Sequence, residues 1–197
     1  MDSIIFPTQT SFIPSRRGSN NIFSVQEAIH SLRNKKGKKG FCALKIDLEK
    51  AYDKLEWSFI REALNYFDFL PLLSHVIMKC ISSSRMAILI NGSPSEWIIP
   101  SRGIRQGDPI SPYIFLLCME YLSLCIEKAV QQGSWETLKV CRGGLAISHC
   151  MFADDIILFS SCSNASISEV KSILENFCLK SGLTISLEKS SLLLQKY

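Results

Sequence analysis

Histidine is scarce in this 197-residue chain: there are three, and none lies beside a cysteine pair. The eight cysteines (Cys42, Cys80, Cys118, Cys125, Cys141, Cys150, Cys162 and Cys178) include no CxxC. That pattern excludes a structural zinc of the usual spacing. Scattered thiols in apolar stretches fit free cysteines of a reducing compartment, not a disulfide framework. No internal repeat or low-complexity tract divides the sequence. The opening MDSIIFPTQT has neither a basic start nor a long apolar run, so it does not read as a secretory signal. The most apolar stretch, YIFLLCMEYLSLCI, is interrupted by Glu120 and Ser123. It is too short for a membrane span and predicts a buried helix. The expectation is an intracellular protein, nuclear or cytoplasmic, with no membrane partner. Its oligomeric state stays open.

What is present fits one folded domain. Hydrophobic residues make up 47% and charged residues 20%, enough to build a sizeable core. The net charge of +4 permits a nucleic-acid partner without requiring one. The charges are clustered: Arg33, Lys35, Lys36, Lys38 and Lys39 crowd one stretch, Arg16 and Arg17 are adjacent, and Arg102 and Arg105 flank a glycine turn. Two readings stay open for these clusters: solvated loop charge, or contact with a phosphate backbone.

Apolar spacing predicts the elements. Ile22, Val25, Ile29 and Leu32 recur on one helical face, with Ser19 or Asn20 as its cap. FCALKID reads as a central strand ending at Asp47. A helix is expected from about Lys54 to Phe67, capped by Asp53, and another from Pro71. Asn91-Gly92 between apolar runs predicts a hairpin. A long buried helix from about Pro112 to Gln131 follows, then a hairpin around Gly143-Gly144. ISHCMF and IILFS read as strands meeting at Ala153–Asp155. A helix over about 166–181, stopped by Gly182, precedes two short closing strands. Interleaved helices and antiparallel hairpins predict an α+β fold with a split βαβ, ferredoxin-like core.

Three carboxylates fall where core strands end: Asp47, Asp154 and Asp155. Adjacent aspartates in an apolar setting repel unless a positive charge offsets them. Hard divalent cations want such oxygen ligands, and Mg²⁺ is commonly held by one or two carboxylates plus substrate phosphates. Two ions about 4 Å apart can clamp both oxygens of an in-line phosphoryl displacement. The plainer alternative is an Asp-Asp turn, since aspartate bonds its own backbone. Asp47 can equally be a helix cap.

The words around these aspartates discriminate. In order, PTQTSFIPSRRGSNNI (7–22), LKIDLEKAYDKLEW (44–57), PSRGIRQGDPISPYIF (100–115), FADD (152–155) and SGLTISLEKS (181–190) span nearly the whole chain. This ordered set resembles the reverse transcriptase domain of plant LINE-type (non-LTR) retrotransposons: a fingers motif, then motifs A, B, C and D. The resemblance implies a polymerase palm over about 41–197 and partial fingers over about 1–40. It also implies that the chain starts within the fingers and ends just past motif D, with no thumb, endonuclease or ribonuclease H segment. The implied activity is RNA-directed DNA polymerisation on an RNA template, a DNA primer and dNTP. The implied cofactor is Mg²⁺, two ions, with Mn²⁺ as a substitute. The alternative is an inactive remnant that at most binds nucleic acid.

Roles carry over residue by residue as implications of that resemblance. Asp47 and Asp154 are the principal metal ligands, assisted by Asp155 and the Leu48 carbonyl. Tyr52 is the steric gate against a ribose 2′-hydroxyl; without the motif it reads as a core aromatic. Gln106 and Gly107 lie near the incoming nucleotide and template, and Asp108 is a cap for the helix that follows. Lys189 is a general acid for the leaving pyrophosphate, its alternative being a surface lysine. Arg16 meets the triphosphate. The chain departs from the family pattern at Ser15, where glycine is usual, at Asn20, where the preceding aspartate is absent, and at Ser186, where asparagine is usual.

Overall fold

The computed structural model describes residues 4–14, 16–35, 37, 39–140, 144 and 146–195. Turns over residues 4–14 lead into α1 (Gly18–Asn34). The helix starts before the expected Ser19 or Asn20; its cap position is Arg17, with no side-chain cap bond. Its buried residues Ala28 and Leu32 pack on Phe41 and Ala43 of β1 (Phe41–Ile46).

The helix expected from about Lys54 is broken in two, α2 (Ala51–Lys54) and α3 (Trp57–Tyr66). No local breaker residue stands at the junction. Leu55 is extended there (ψ 119°), and its carbonyl accepts from the Gly103 N–H at 2.8 Å. The Glu56 N–H donates to the Ser181 carbonyl at 2.9 Å. Tertiary hydrogen bonds therefore replace helical ones. Asp53 lies inside α2 and does not cap α3, whose cap position is Glu56. Phe59, Ile60, Ala63 and Leu64 form the buried stripe that their spacing predicts.

Pro71 opens α4 (Pro71–Ser82). β2 (Leu89–Ile90) and β3 (Ser93–Pro94) pair around Asn91-Gly92, both left-handed at φ 49° and 82°, as a type I′ turn requires. The apolar residues of this arm point outward: Ile88, Leu89, Ile90, Trp97 and Ile99 are all more than half exposed. The expected buried helix is α5 (Ser111–Gln132), which also buries Glu120 and Ser123. β4 (Leu138–Lys139) pairs with β5 (Ala146–Ile147), while Gly143 of the expected turn lies outside the described residues.

β6 (His149–Phe152) and β7 (Asp155–Ser161) form a tight hairpin. α6 (Asn164–Ser181) is capped by Ser163, whose hydroxyl accepts from the Ser166 N–H, and stops at left-handed Gly182. One closing strand forms, β8 (Ser191–Leu194), in place of the expected two. Ile185 contributes only an isolated bridge to Leu48, because residues 187–189 turn.

The main sheet runs β6–β7–β1–β8 with every neighbouring pair antiparallel. β1 and β6 are thus parallel with β7 inserted between them, the split βαβ arrangement. The fold is α+β, as the sequence predicts. Alternation along the strands decides the two faces. Ile46, Ile156 and Leu158 turn inward against Phe59, Phe115 and Phe177 in the main core. Lys45, Asp155 and Ile157 take the opposite face, beside Asn21 and Val25 of α1. Among the described residues no helix is long and apolar enough to cross a membrane. Every described cysteine is free; Cys42, Cys118 and Cys150 are buried, and Cys141 lies outside the described residues.

Candidate active site

The carboxylates are positioned by strand register. Ile46 pairs with Ile156, so Asp47, just past β1, and Asp155, the first residue of β7, lie at the same end of the sheet. Phe152 pairs with Asp155, which leaves Ala153 and Asp154 as the two turn residues. Ala153 is buried and left-handed at φ 54°. Such a conformation in a non-glycine residue persists only where its surroundings over-determine it. Asp154 and Asp155 are exposed and Asp47 is half-buried. Lys45 Nζ lies 3.6 Å from Asp155 Oδ1, an exposed pair of small energetic weight.

Tyr52 stands beside this turn. Burial, and after it the Asp154 carboxylate, raises its hydroxyl above the ordinary tyrosine range. The ring stacks on Phe115 of α5, with centroids 4.9 Å apart and planes 17° apart. The Ile104 N–H donates to the Tyr52 carbonyl at 2.8 Å, and the Trp57 indole N–H donates to the Gly103 carbonyl at 2.7 Å. Residues 103 and 104 are thereby docked on α2. At Gly103 (φ 83°) a Cβ would lie 2.7 Å from the Asp53 carbonyl oxygen, so only glycine permits this approach. Gln106 and Gly107 follow in the exposed part of the loop. Asp108 accepts from the Ile110 N–H at 3.1 Å and so braces the entry to α5.

Asp47 is held from the other side. Its N–H donates to Ser190 Oγ at 3.1 Å, and its carbonyl accepts from the Ser186 N–H at 2.9 Å. Leu48 is buried and bridged to Ile185. Lys189 is exposed in the turn at 187–189. It acts on Glu49, whose carboxyl is lowered first by Lys54, then by Thr184, and least by Lys189. Arg16 is turned elsewhere. Its guanidinium donates to the carbonyls of Ile5 (2.6 Å), Gln9 (2.8 Å) and Phe6, and it acts electrostatically on buried Glu120. The structure brings Asp47, Asp154, Asp155 and Tyr52 to one end of the sheet and docks the loop of Gln106 and Gly107 nearby. Arg16 is committed to the N-terminal loop.

Several residues carry no local sequence signal for the parts they play. Residues 8–10 add a parallel bridge to Met151 at the β6 edge. Asn21 Nδ2 donates to the carbonyls of Thr8 and Met151 at 2.7 and 2.8 Å. His149, wholly buried, meets Thr8 Oγ1 at 2.9 Å through Nε2 and Ser148 Oγ at 2.9 Å through Nδ1. Only their polarity within an apolar context could have marked them.

Among the described residues no three His, Cys, Asp or Glu side chains gather closely enough to hold a metal by themselves. Asp47 and Asp154 have no side-chain hydrogen-bond or ion-pair partner among the described residues. Carboxylates of this kind are the oxygen donors that a hard divalent cation takes together with substrate phosphates.

The family model described as reverse transcriptase (RNA-dependent DNA polymerase) matches residues 2–197. An uncharacterized mitochondrial protein of Arabidopsis thaliana is 46% identical over 70 residues, covering 36% of this chain and 57% of that protein. A retrovirus-related Pol polyprotein from the type-1 retrotransposable element R2 of Nasonia vitripennis is 30% identical over 171 residues. That match covers 85% of this chain and 16% of the polyprotein, so the chain spans a small part of it. In structure the chain is similar to apo telomerase from Candida tropicalis, with TM-score 0.70 and 13% identity, over 96% of this chain and 36% of that one. The match over residues 2–197 settles the family: the chain belongs to the reverse transcriptases.

Proposed function

We propose that this chain is the palm-and-fingers module of an RNA-directed DNA polymerase of a non-LTR retrotransposon. It takes an RNA template, a DNA primer and dNTP, and the primer 3′-hydroxyl attacks the α-phosphate as pyrophosphate leaves. The observation that carries this reading is the juxtaposition of Asp154 with Tyr52, at the sheet end where Asp47 follows β1 and Asp155 opens β7.

Asp47 and Asp154 are the ligands in this reading, with Asp155 and the Leu48 carbonyl completing the set for two Mg²⁺ ions or Mn²⁺ in their place. Bound there, the ions supply charge stabilisation to the transferring phosphoryl group. The Tyr52 ring, fixed by its stack on Phe115, walls the sugar pocket against a 2′-hydroxyl. Gln106 and Gly107 lie over the nascent base pair, where open space around Gly107 admits a ligand. Lys189, free to swing from an exposed turn, donates a proton to the leaving pyrophosphate. For Arg16 to meet the triphosphate, its guanidinium must leave the carbonyls of Ile5, Phe6 and Gln9.

The test supplies the purified chain with oligo(dT) on poly(rA), dTTP and Mg²⁺, with Asp154→Asn as the control. Incorporation that disappears in the control supports the reading; none above the control overturns it for this chain. In an active form, Tyr52→Ala raises ribonucleotide use relative to deoxyribonucleotide use. An unchanged ratio removes the gate assignment.

A further inference from the structure

We infer that Gln9 is the positioning residue of the metal-binding turn: its side-chain carbonyl holds Ala153 and so sets where Asp154 points. The inference rests on reading Asp154 as a metal ligand.

Gln9 is 1% exposed. Its Oε1 accepts two backbone N–H groups, Ser11 at 3.1 Å and Ala153 at 3.2 Å. Both lone pairs are used, and only the oxygen of a carboxamide accepts, so the orientation of the side chain is fixed. Ala153 is the left-handed, buried first residue of the two-residue turn, and the β6–β7 pairing ends at the Phe152–Asp155 rung. Its N–H lies beyond that ladder, and a buried N–H needs a partner. Gln9 supplies it from 144 residues away.

Gln9 is itself anchored. The Met151 N–H donates to the Thr8 carbonyl at 2.9 Å, and the Thr10 N–H donates to the Met151 carbonyl at 3.4 Å. Asn21 ties the Thr8 and Met151 carbonyls together, and Thr8 meets His149. This brings the Cα of Gln9 beside Met151, two residues before Ala153. The turn that carries Asp154 is thus fastened to a third strand-like segment and not only to its own hairpin. A ligand held by such outer contacts keeps its direction before the cation arrives.

The other half of the carboxamide separates positioning from filling. Gln9 Nε2 is buried with no hydrogen-bond partner among the described residues. An unpaired buried donor is unfavourable. A leucine or methionine would fill the same space without it, and the backbone bridge to Met151 seals the sheet edge without any side chain. What glutamine adds is the acceptor oxygen.

The test uses the whole chain as wild type, Gln9→Leu and Gln9→Glu. Mn²⁺ affinity is read directly by electron paramagnetic resonance, with no turnover required. Exchange of the Ala153 amide is read by NMR, and melting temperature is recorded alongside. Gln9→Leu is expected to weaken Mn²⁺ binding about 10-fold or more and to speed Ala153 exchange by a similar factor. Gln9→Glu, which keeps the acceptor oxygen, is expected to retain slower Ala153 exchange than Gln9→Leu, and exchange as fast as in Gln9→Leu would count against the acceptor role. If the wild type binds Mn²⁺ and Gln9→Leu binds it equally well, the inference falls and the metal site stands. If the wild type binds none, the metal site falls and the inference with it. Should Gln9→Leu not fold, Gln9→Asn draws the oxygen back by one methylene and is read by the same outcomes.

Discussion

At the β6 edge of the main sheet, residues 8–10 lie against Met151, and side chains from Gln9, Asn21 and Thr8 reach into the strand and its turn. At the β8 edge, Leu192 and Leu194 are more than half exposed, and no further strand pairs there among the described residues. Each edge braces the backbone at or next to one candidate aspartate, by different means. Ala153, which precedes Asp154, is held through a side chain, the carboxamide of Gln9. Asp47 is fixed through the backbone, by the amide of Ser186, with the hydroxyl of Ser190 in support. A side-chain substitution can undo the first arrangement outright, whereas the backbone bond on the second survives most substitutions.

Matched truncations on the two edges give the widest contrast. Met151→Ala, at a fully buried site on β6, is expected to cost about 2–5 kcal/mol in urea unfolding. An effect under about 1 kcal/mol would show that the Met151 side chain is not packed in the main core in solution. Asn21→Ala comes next, at about 1–3 kcal/mol, because two carbonyls lose a shared donor. Stability unchanged within about 0.5 kcal/mol would assign the contact to the rim.

The same covered edge has a pH signature made of two opposed parts. Burial lowers His149 from 6.5 to about 4. The unfolded chain takes up a proton there first, so this part of the stability is lost as pH falls from about 6.5 towards 4. Burial raises Glu120 from 4.5 to about 7, partly offset by the Phe6 amide and Arg16. The folded chain holds that proton more tightly, so this part is present below 4.5 and is lost as pH rises through about 7. His149→Gln should flatten the acid side of a melting-temperature profile, and Glu120→Gln the neutral side. Profiles parallel to wild type would mean that neither group is buried in solution. Smallest of all, Leu192→Ala on the open edge should move stability by no more than about 0.5 kcal/mol. A larger loss would reveal that something covers β8.

The sequence disclosed what alternation and spacing control. The strand ends at Asp47 and Asp155, the stripe of α3, the Asn91-Gly92 turn and the Gly182 stop all follow from local rules. It did not disclose the break between α2 and α3, because Leu55 and Glu56 are ordinary helix residues and distant partners draw them out of the helix. Nor did it disclose Gln9, whose partner is 144 residues away and carries no matching pattern. The apolar arm at 88–99 shows the reverse case: its composition suits a core, yet no layer among the described residues lies over it. The aspartates proposed as metal ligands were visible as carboxylates at strand ends, while the Gln9 contact to Ala153 was not.

Two glycines pack closely on the backbone of a single short stretch. Gly103 fits against the Asp53 carbonyl, and at Gly182 a Cβ would lie 2.9 Å from the Lys54 carbonyl oxygen. Leu55 and Glu56 then bond the two incoming segments, one through Gly103 and the other through Ser181. The loop of Gln106 and the segment leading to Lys189 therefore share one datum, residues 53–56. That common mount ties both to α2, while the bonds of Ser186 and Ser190 to Asp47 tie the second segment to the sheet as well. A slip at the mount would move the two loops together, so the proposed roles of Gln106 and Lys189 would be disturbed in step.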